Sequence, residues 1–450
     1  MNASQHAANH QTSIFRTWWP LAASWLLMGA ELPAISAVVG RLPSAEVMLA
    51  AFGGVVFPIA LLVESPIIMM LAASTAWSRD TASFRQLERF MYVTAVALTV
   101  LHAAIAFTPL YHWVVVPLLD VPESVQAPAL LGLRIMVLWN LAIADRRFRQ
   151  GALIRFGHRE TIARGTAVRL AATFLGLWIC WRSGCSGIVT ACLSLSGGVL
   201  VEALFVRARA RLLLPAPLQA ASTAPQPPRA TSLLAFYVPL AITPMLILAM
   251  QPIAAAGITR MPLPLEGLAV WGPLGGLAFL MRSVGIAYNE VVIAHADDPG
   301  AEARLRRFAW GWGLAISGVL GVIALSPLSD SWFSGAIGLS PELTRLGSAT
   351  LWLAVPLPLL TFLQSHWQGL LVHRHRTRAV TGSVAAFLVV ASVLVLGGVL
   401  VGRWNGLEVT LLAFTLGNLA QALWLRWRWH AEGPARPEQP AHGIAAPEPL

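Results

Sequence analysis

Few ionisable side chains fall inside the long apolar runs of this chain of 450 residues. A charged group inside a bilayer costs about 2.5–3.5 kcal/mol on insertion scales, so each one needs a partner, water or a task. Glu64, in Val63-Glu64-Ser65-Pro66, lies near the middle of the second apolar run, and Arg282 lies at matching depth in the eighth. Opposite charges at equal depth have two readings. Either they face a central cavity, Arg282 attracting an anionic or zwitterionic solute while Glu64 takes a proton or cation, or they form a structural ion pair that locks two halves together.

Glu31 stands two residues before Pro33, and a proline in a span frees a carbonyl one turn back that can help to hold a cation. With Arg41 only ten residues further on, the alternative is an acid at an outer helix end in water. Glu202, four residues after Gly198, is expected to pair with Arg207 or Arg169; Gln421 keeps the position polar in the second half. Asn289 and Glu290 either line the cavity entrance or are solvated at a helix end. Arg134 is expected to snorkel to the surface. His366, His373 and His375 lack carboxylate or cysteine companions, so no metal site is expected, and no cofactor.

No G-x-x-x-x-G-K-[ST], G-x-S-x-G, H-E-x-x-H or G-x-G-x-x-G motif appears, which argues against ATP-driven transport within the chain and against the common soluble hydrolases and dehydrogenases. The elements that must position these residues follow from composition. Hydrophobic residues make up 56% and charged residues only 12%, and mean hydropathy is +0.66. Such a surface cannot be coated for water, which excludes a soluble enzyme. The net charge of +10 comes from 31 basic residues, all of them arginine, so lysine chemistry is excluded as well. The arginines are scattered in short segments between apolar runs, which argues against nucleic acid and for membrane orientation and contact with anionic lipids. Cys180, Cys185 and Cys192 have neither disulfide nor zinc spacing.

A hydrocarbon core about 30 Å thick needs about 20 apolar residues per helix. Twelve such runs are expected, near 17–39, 47–76, 90–110, 127–144, 165–181, 186–206, 234–258, 266–294, 308–328, 346–365, 379–401 and 406–427. They divide into a bundle over 14–210 and another over 233–428. A Pro-rich linker over 211–232 joins them, with disordered ends over 1–13 and 429–450. Alternate loops carry 23 arginines against 5, with 145–164 the richest loop at six, which places both termini in the cytoplasm of a bacterial inner membrane.

Sliding the second half over the first by 218 to 219 positions aligns Pro20-Leu21-Ala22 with Pro239-Leu240-Ala241, Pro33 with Pro252 and Arg41 with Arg260. It also aligns Gln150-Gly151 with Gln368-Gly369, and Gly198 with Gly417. The unit of six helices is duplicated, and because six is even the copies are parallel, related by an axis along the membrane normal.

The layout over about 15–428 resembles the multidrug and toxic compound extrusion (MATE) type of the multidrug, oligosaccharidyl-lipid and polysaccharide (MOP) exporter superfamily. Within it, Trp18-Trp19-Pro20-Leu21-Ala22, Pro33 with Arg41, Leu133-Arg134-Ile135 and Gly198 with Glu202 are similar to the progressive ankylosis (ANK) branch. The resemblance implies a V-shaped pair of bundles and a central cavity lined by the first two helices of each. It implies export of organic solutes, with anions such as pyrophosphate, ATP and citrate attributed to the ANK branch. Many MATE members carry an acidic cation or proton site in the first bundle; Glu31 has no exact ANK counterpart. The expected protein is an all-α polytopic secondary transporter of twelve transmembrane helices. It would act as a monomer on a small organic solute, with a proton or sodium ion as coupling partner. A flippase for lipids or lipid-linked oligosaccharides is the alternative, and a membrane enzyme acting on lipid-linked substrates stands behind it.

Overall fold

In a bilayer every backbone N–H and C=O has to be satisfied within the segment, and the apolar runs therefore fold as helices. The computed structural model describes residues 3–220, 230–298, 300–374 and 376–431. Twelve helices among them are long and apolar enough to cross a membrane. They are α1 (Ile14–Val39), α2 (Ala45–Trp77), α3 (Thr81–Phe107), α4 (Glu123–Arg155), α5 (Glu160–Arg182) and α6 (Gly187–Leu213), followed by α7 (Phe236–Thr259), α8 (Pro264–His295), α9 (Ala301–Ala324), α10 (Pro341–His373), α11 (Thr377–Val401) and α12 (Gly406–Ala431). With twelve spans, the start of α1 and the end of α12 share one face, the terminal face; the opposite face is distal. The chain forms two parallel-repeat six-helix bundles, as the duplication requires.

All twelve expected spans are present, several of them running well past their expected ends. The helix leading into α1 starts at Ala3, so residues 3–13 are helical rather than disordered. Part of the linker is also helical, over Pro215–Ala220; positions 221–229, and 432–450 of the tail, lie outside the described residues. The largest correction is α4. The expected span ends at 144, before the cluster of arginines, yet the helix runs on to Arg155 with Asp145, Arg146, Arg149 and Gln150 all buried. A span can carry charge if its bundle supplies partners. Removing Arg146, Arg147 and Arg149 from the loop count leaves 20 arginines against 5, and the asymmetry survives.

Several spans change helix type where they meet a neighbour. The π-helical stretch Ala50–Val56 in α2 brings Gly53 against Gly272 of α8, and a Cβ at Gly53 would meet the Gly272 Cα at 3.1 Å. Small residues let two backbones approach this closely, which no other residue type allows. Nearer the distal face the bundles touch again, where Gly40 meets the Ile337 carbonyl.

The first helix of each bundle leans on the other bundle near the terminal face. Trp18 of α1 is 1% exposed, donates from its indole to the Val284 carbonyl of α8 at 2.8 Å, and packs on Phe308, Trp312 and Phe362. In the mirror arrangement Tyr237 of α7 donates to the Pro66 carbonyl of α2 and packs edge-on against Phe90, while Phe236 meets Trp77. Further along α1, Glu31 is tied to its own bundle through Arg169 and Thr173. The break lies at Ala30, between helical segments Ala3–Gly29 and Glu31–Val39.

Candidate functional site

Between the bundles, in the middle of the spans, lies a cavity of about 340 Å³. Its walls come chiefly from the first two helices of each bundle: Leu32 and Ser36 of α1, Phe52 and Phe57 of α2, Leu248 and Gln251 of α7, and Trp271, Phe279 and Arg282 of α8. Leu357, Leu411 and Phe414 of α10 and α12 close one side. The volume and mostly apolar, aromatic lining are those of a small-molecule pocket, with a few polar groups to orient a ligand.

Among the described residues, Arg282 is the only charged side chain on that lining. Its Nε donates to Thr361 Oγ1 at 2.9 Å, an Nη donates to Asn418 Oδ1 at 3.0 Å, and the guanidinium sits 5.2 Å from the centre of the Phe414 ring. Asn418 is itself fixed by Gln364, which donates to its carbonyl and side-chain oxygens at 2.8 and 3.2 Å. Hydroxyl, amide and π-face therefore aim the guanidinium without neutralising it.

Glu64 does not face Arg282. It lies 5% exposed inside the first bundle, where the Trp139 indole N–H donates to its Oε2. The geometry gives no Glu64–Arg282 ion pair, and of the two residues it puts only Arg282 on the cavity wall. The repeat puts the two residues at equal depth, but the side chain turns inward at position 64, and Trp139, which the sequence reading did not consider, supplies its partner.

Around Glu64 the first bundle holds a buried network of charges. Glu31 is 5% exposed; it pairs with Arg169 at 2.8 Å and accepts from the Thr173 hydroxyl at 2.9 Å, so it is not the water-exposed helix end considered as its alternative. Glu202, 1% exposed, takes Arg146 at 2.5 Å and the Gln150 amide at 3.1 Å, with Arg169 at 3.9 Å. Of its two expected partners, Arg169 is within ion-pair reach at 3.9 Å, whereas Arg207 goes to Asp145, at 3.8 Å. Arg149 completes the terminal end with Asp145 and Glu88, each at 2.9 Å. Gly198 permits the helix contact beneath: a Cβ there would come 2.0 Å from Thr173 Oγ1.

The remaining expected site residues stand apart. Asn289 is half-buried and Glu290 exposed near the terminal end of α8, and neither lines the cavity. Arg134 is at the distal surface as expected, donating to the Ala106 carbonyl at 3.0 Å. His373 reaches Asp297 at 2.9 Å, His366 is buried beside Trp367, and His375 lies outside the described residues. The missed residues had a legible signal. Asp145 with Arg149, and Arg146 with Gln150, are each four apart, the spacing of one helix face.

No family model matches the chain, and no curated protein does. Solved structures do. The chain is similar to an inward-facing multidrug resistance MATE family transporter of the MOP superfamily, with a TM-score of 0.71 over 91% of this chain and 95% of that one, at 13% identity. It is similar to a MATE transporter of Vibrio cholerae with a TM-score of 0.62, 14% identity and coverage of 95% and 97%. The lipid II flippase MurJ in its inward closed conformation gives a TM-score of 0.63, 12% identity and coverage of 91% and 87%. The chain thus has the fold of the MATE transporters of the MOP superfamily.

Proposed function

We propose that this protein is a secondary active transporter that exports a small anionic or zwitterionic organic solute by alternating access. The observation that carries this reading is Arg282, a guanidinium on the wall of a mid-membrane cavity whose partners are a hydroxyl, an amide and an aromatic face. An intramembrane cation with no carboxylate beside it is retained at a cost, and a solute with a negative group would supply the missing charge. Phe52, Phe57, Trp271 and Phe279 offer apolar surface to the rest of such a molecule.

The coupling ion is assigned to the first bundle. Glu31, Glu202 and Asp145 are each matched by arginine, whereas Glu64 has a neutral indole for its hydrogen-bond partner. Glu64 is therefore the carboxylate on which a proton or sodium ion would bind. The protein works as a monomer in a bacterial inner membrane, with its termini in the cytoplasm.

Purified protein in proteoliposomes, given organic anions and cations under imposed proton or sodium gradients, tests the reading. Gradient-driven uptake of an anion is expected; uptake of cations alone would overturn it. Translocation of a fluorescent lipid-linked oligosaccharide, with no soluble solute moved, would favour the flippase. Orientation is tested in a background with Cys180, Cys185 and Cys192 replaced by alanine. Ser124→Cys should react with an impermeant thiol reagent from outside cells and Glu160→Cys should not, both positions being exposed at opposite faces. The reverse pattern inverts the topology.

A further inference from the structure

Two short helices cap the distal face, one over 111–119 between α3 and α4, the other over 328–337 between α9 and α10. The last carbonyls of a helix have no intrahelical partner, and its C-terminus carries partial negative charge. Each cap ends in a left-handed residue, Asp120 with φ 50° and Gly338 with φ 85°, so the chain turns away and leaves those carbonyls open.

An arginine from the opposite bundle reaches each of them. Arg41, just beyond α1, donates to the Ala336 carbonyl at 2.8 Å and to the Gly335 carbonyl. Arg260, just beyond α7, donates to the carbonyls of Pro117 and Leu118, both at 2.9 Å. These are repeat equivalents throughout, 41 with 260 and 335–336 with 117–118. Even the strut is repeated: each guanidinium also donates to the carbonyl four residues back, Ala37 at 2.6 Å and Ala256 at 2.9 Å. One position earlier the copies differ but serve one contact. Thr259 donates its hydroxyl to the Leu119 carbonyl at 2.5 Å, while Gly40 lets the Ile337 carbonyl come where a Cβ would be only 2.2 Å away.

We propose that Arg41 and Arg260 form a two-fold-related latch that holds the bundles together at the distal face, and that opening of this face requires both guanidinium groups to leave the cap helices. Bonds aimed at helix ends are directional, and a latch made of them is closed only at one relative position of the bundles. The duplication makes both halves release together. The inference depends on the bundle geometry and not on which solute is carried.

The test uses spin labels at Ser183 and Arg403, exposed distal positions of opposite bundles, in the full chain in nanodiscs with the three native cysteines replaced by alanine. Inter-label distances are compared for the parent, Arg41→Lys/Arg260→Lys and Arg41→Ala/Arg260→Ala. Lysine keeps the charge but cannot span two carbonyls. The expected result is a longer-distance population that grows from parent to lysine to alanine, its ratio to the closed population rising about tenfold in the alanine pair, or about 1.4 kcal/mol. Should the alanine pair lose its fold, the lysine pair carries the same comparison. Identical distributions in parent and lysine protein, whatever the alanine pair does, overturn the latch.

Discussion

Replacing Arg282 by glutamine should cut transport of the anionic solute about 30- to 150-fold while leaving the protein folded. A hydrogen bond to a charged group is worth about 1.5–3 kcal/mol, and loss of 2–3 kcal/mol at the binding step corresponds to that range. Glutamine can still bond Thr361 or Asn418, the two groups that hold the guanidinium now, so no buried acceptor is orphaned. The melting temperature should stay near that of the parent. Adding Glu64→Gln should not restore flux, because the two side chains share no partner and their effects should add. Flux in proteoliposomes for the two single variants and the double variant is the measurement. Transport unchanged in Arg282→Gln, or recovered in the double variant, would remove the anion-binding role.

Glu202→Ala should do the opposite, and lose the fold before it loses any particular solute. The carboxylate is 1% exposed and faces Arg146, Gln150 and, further off, Arg169. Truncating one partner of a buried ion pair leaves an uncompensated charge and costs about 3–5 kcal/mol. The expected outcome is a large drop in melting temperature in detergent, with little cooperative unfolding left. Glu202→Gln should be milder, since Gln421 occupies the equivalent place in the second bundle. Arg146→Gln combined with Glu202→Gln should recover much of the loss, because the replaced pair is neutral. A melting temperature for Glu202→Ala equal to that of the parent would mean the network does not hold the bundle together.

The architecture was legible because lipid imposes one rule on every span. Runs of about 20 apolar residues locate the helices, and rare residues recurring at one offset reveal the duplication. What escaped was polarity inside a bundle. Hydropathy ends a span at its first charges, so α4 was cut at Asp145-Arg146-Arg147 and its arginines were read as a loop. The direction of a side chain was equally hidden: depth along a helix follows from counting, but whether Glu64 turns toward Arg282 or toward Trp139 is set by packing of α2 against α4. Arg282 could be singled out as an intramembrane charge; its partners Thr361 and Asn418 could not, being ordinary residues until the fold brings α8, α10 and α12 together.

The break in the first helix has a mechanical meaning. Trp18 is anchored in the second bundle, while Glu31, thirteen residues on, is tied to Arg169 and Thr173 of the first. A rod fastened at its two ends to different bodies cannot follow both when they rotate. The strain gathers where the rod is weakest, at Gly29-Ala30-Glu31, where the helix is already interrupted. One of the joint's three residues is an acid of the buried network. Rocking of the bundles and the angle at which that carboxylate meets its arginine are thus one degree of freedom, so a torque applied at the aromatic anchor is felt as a change of charge geometry more than three helical turns away.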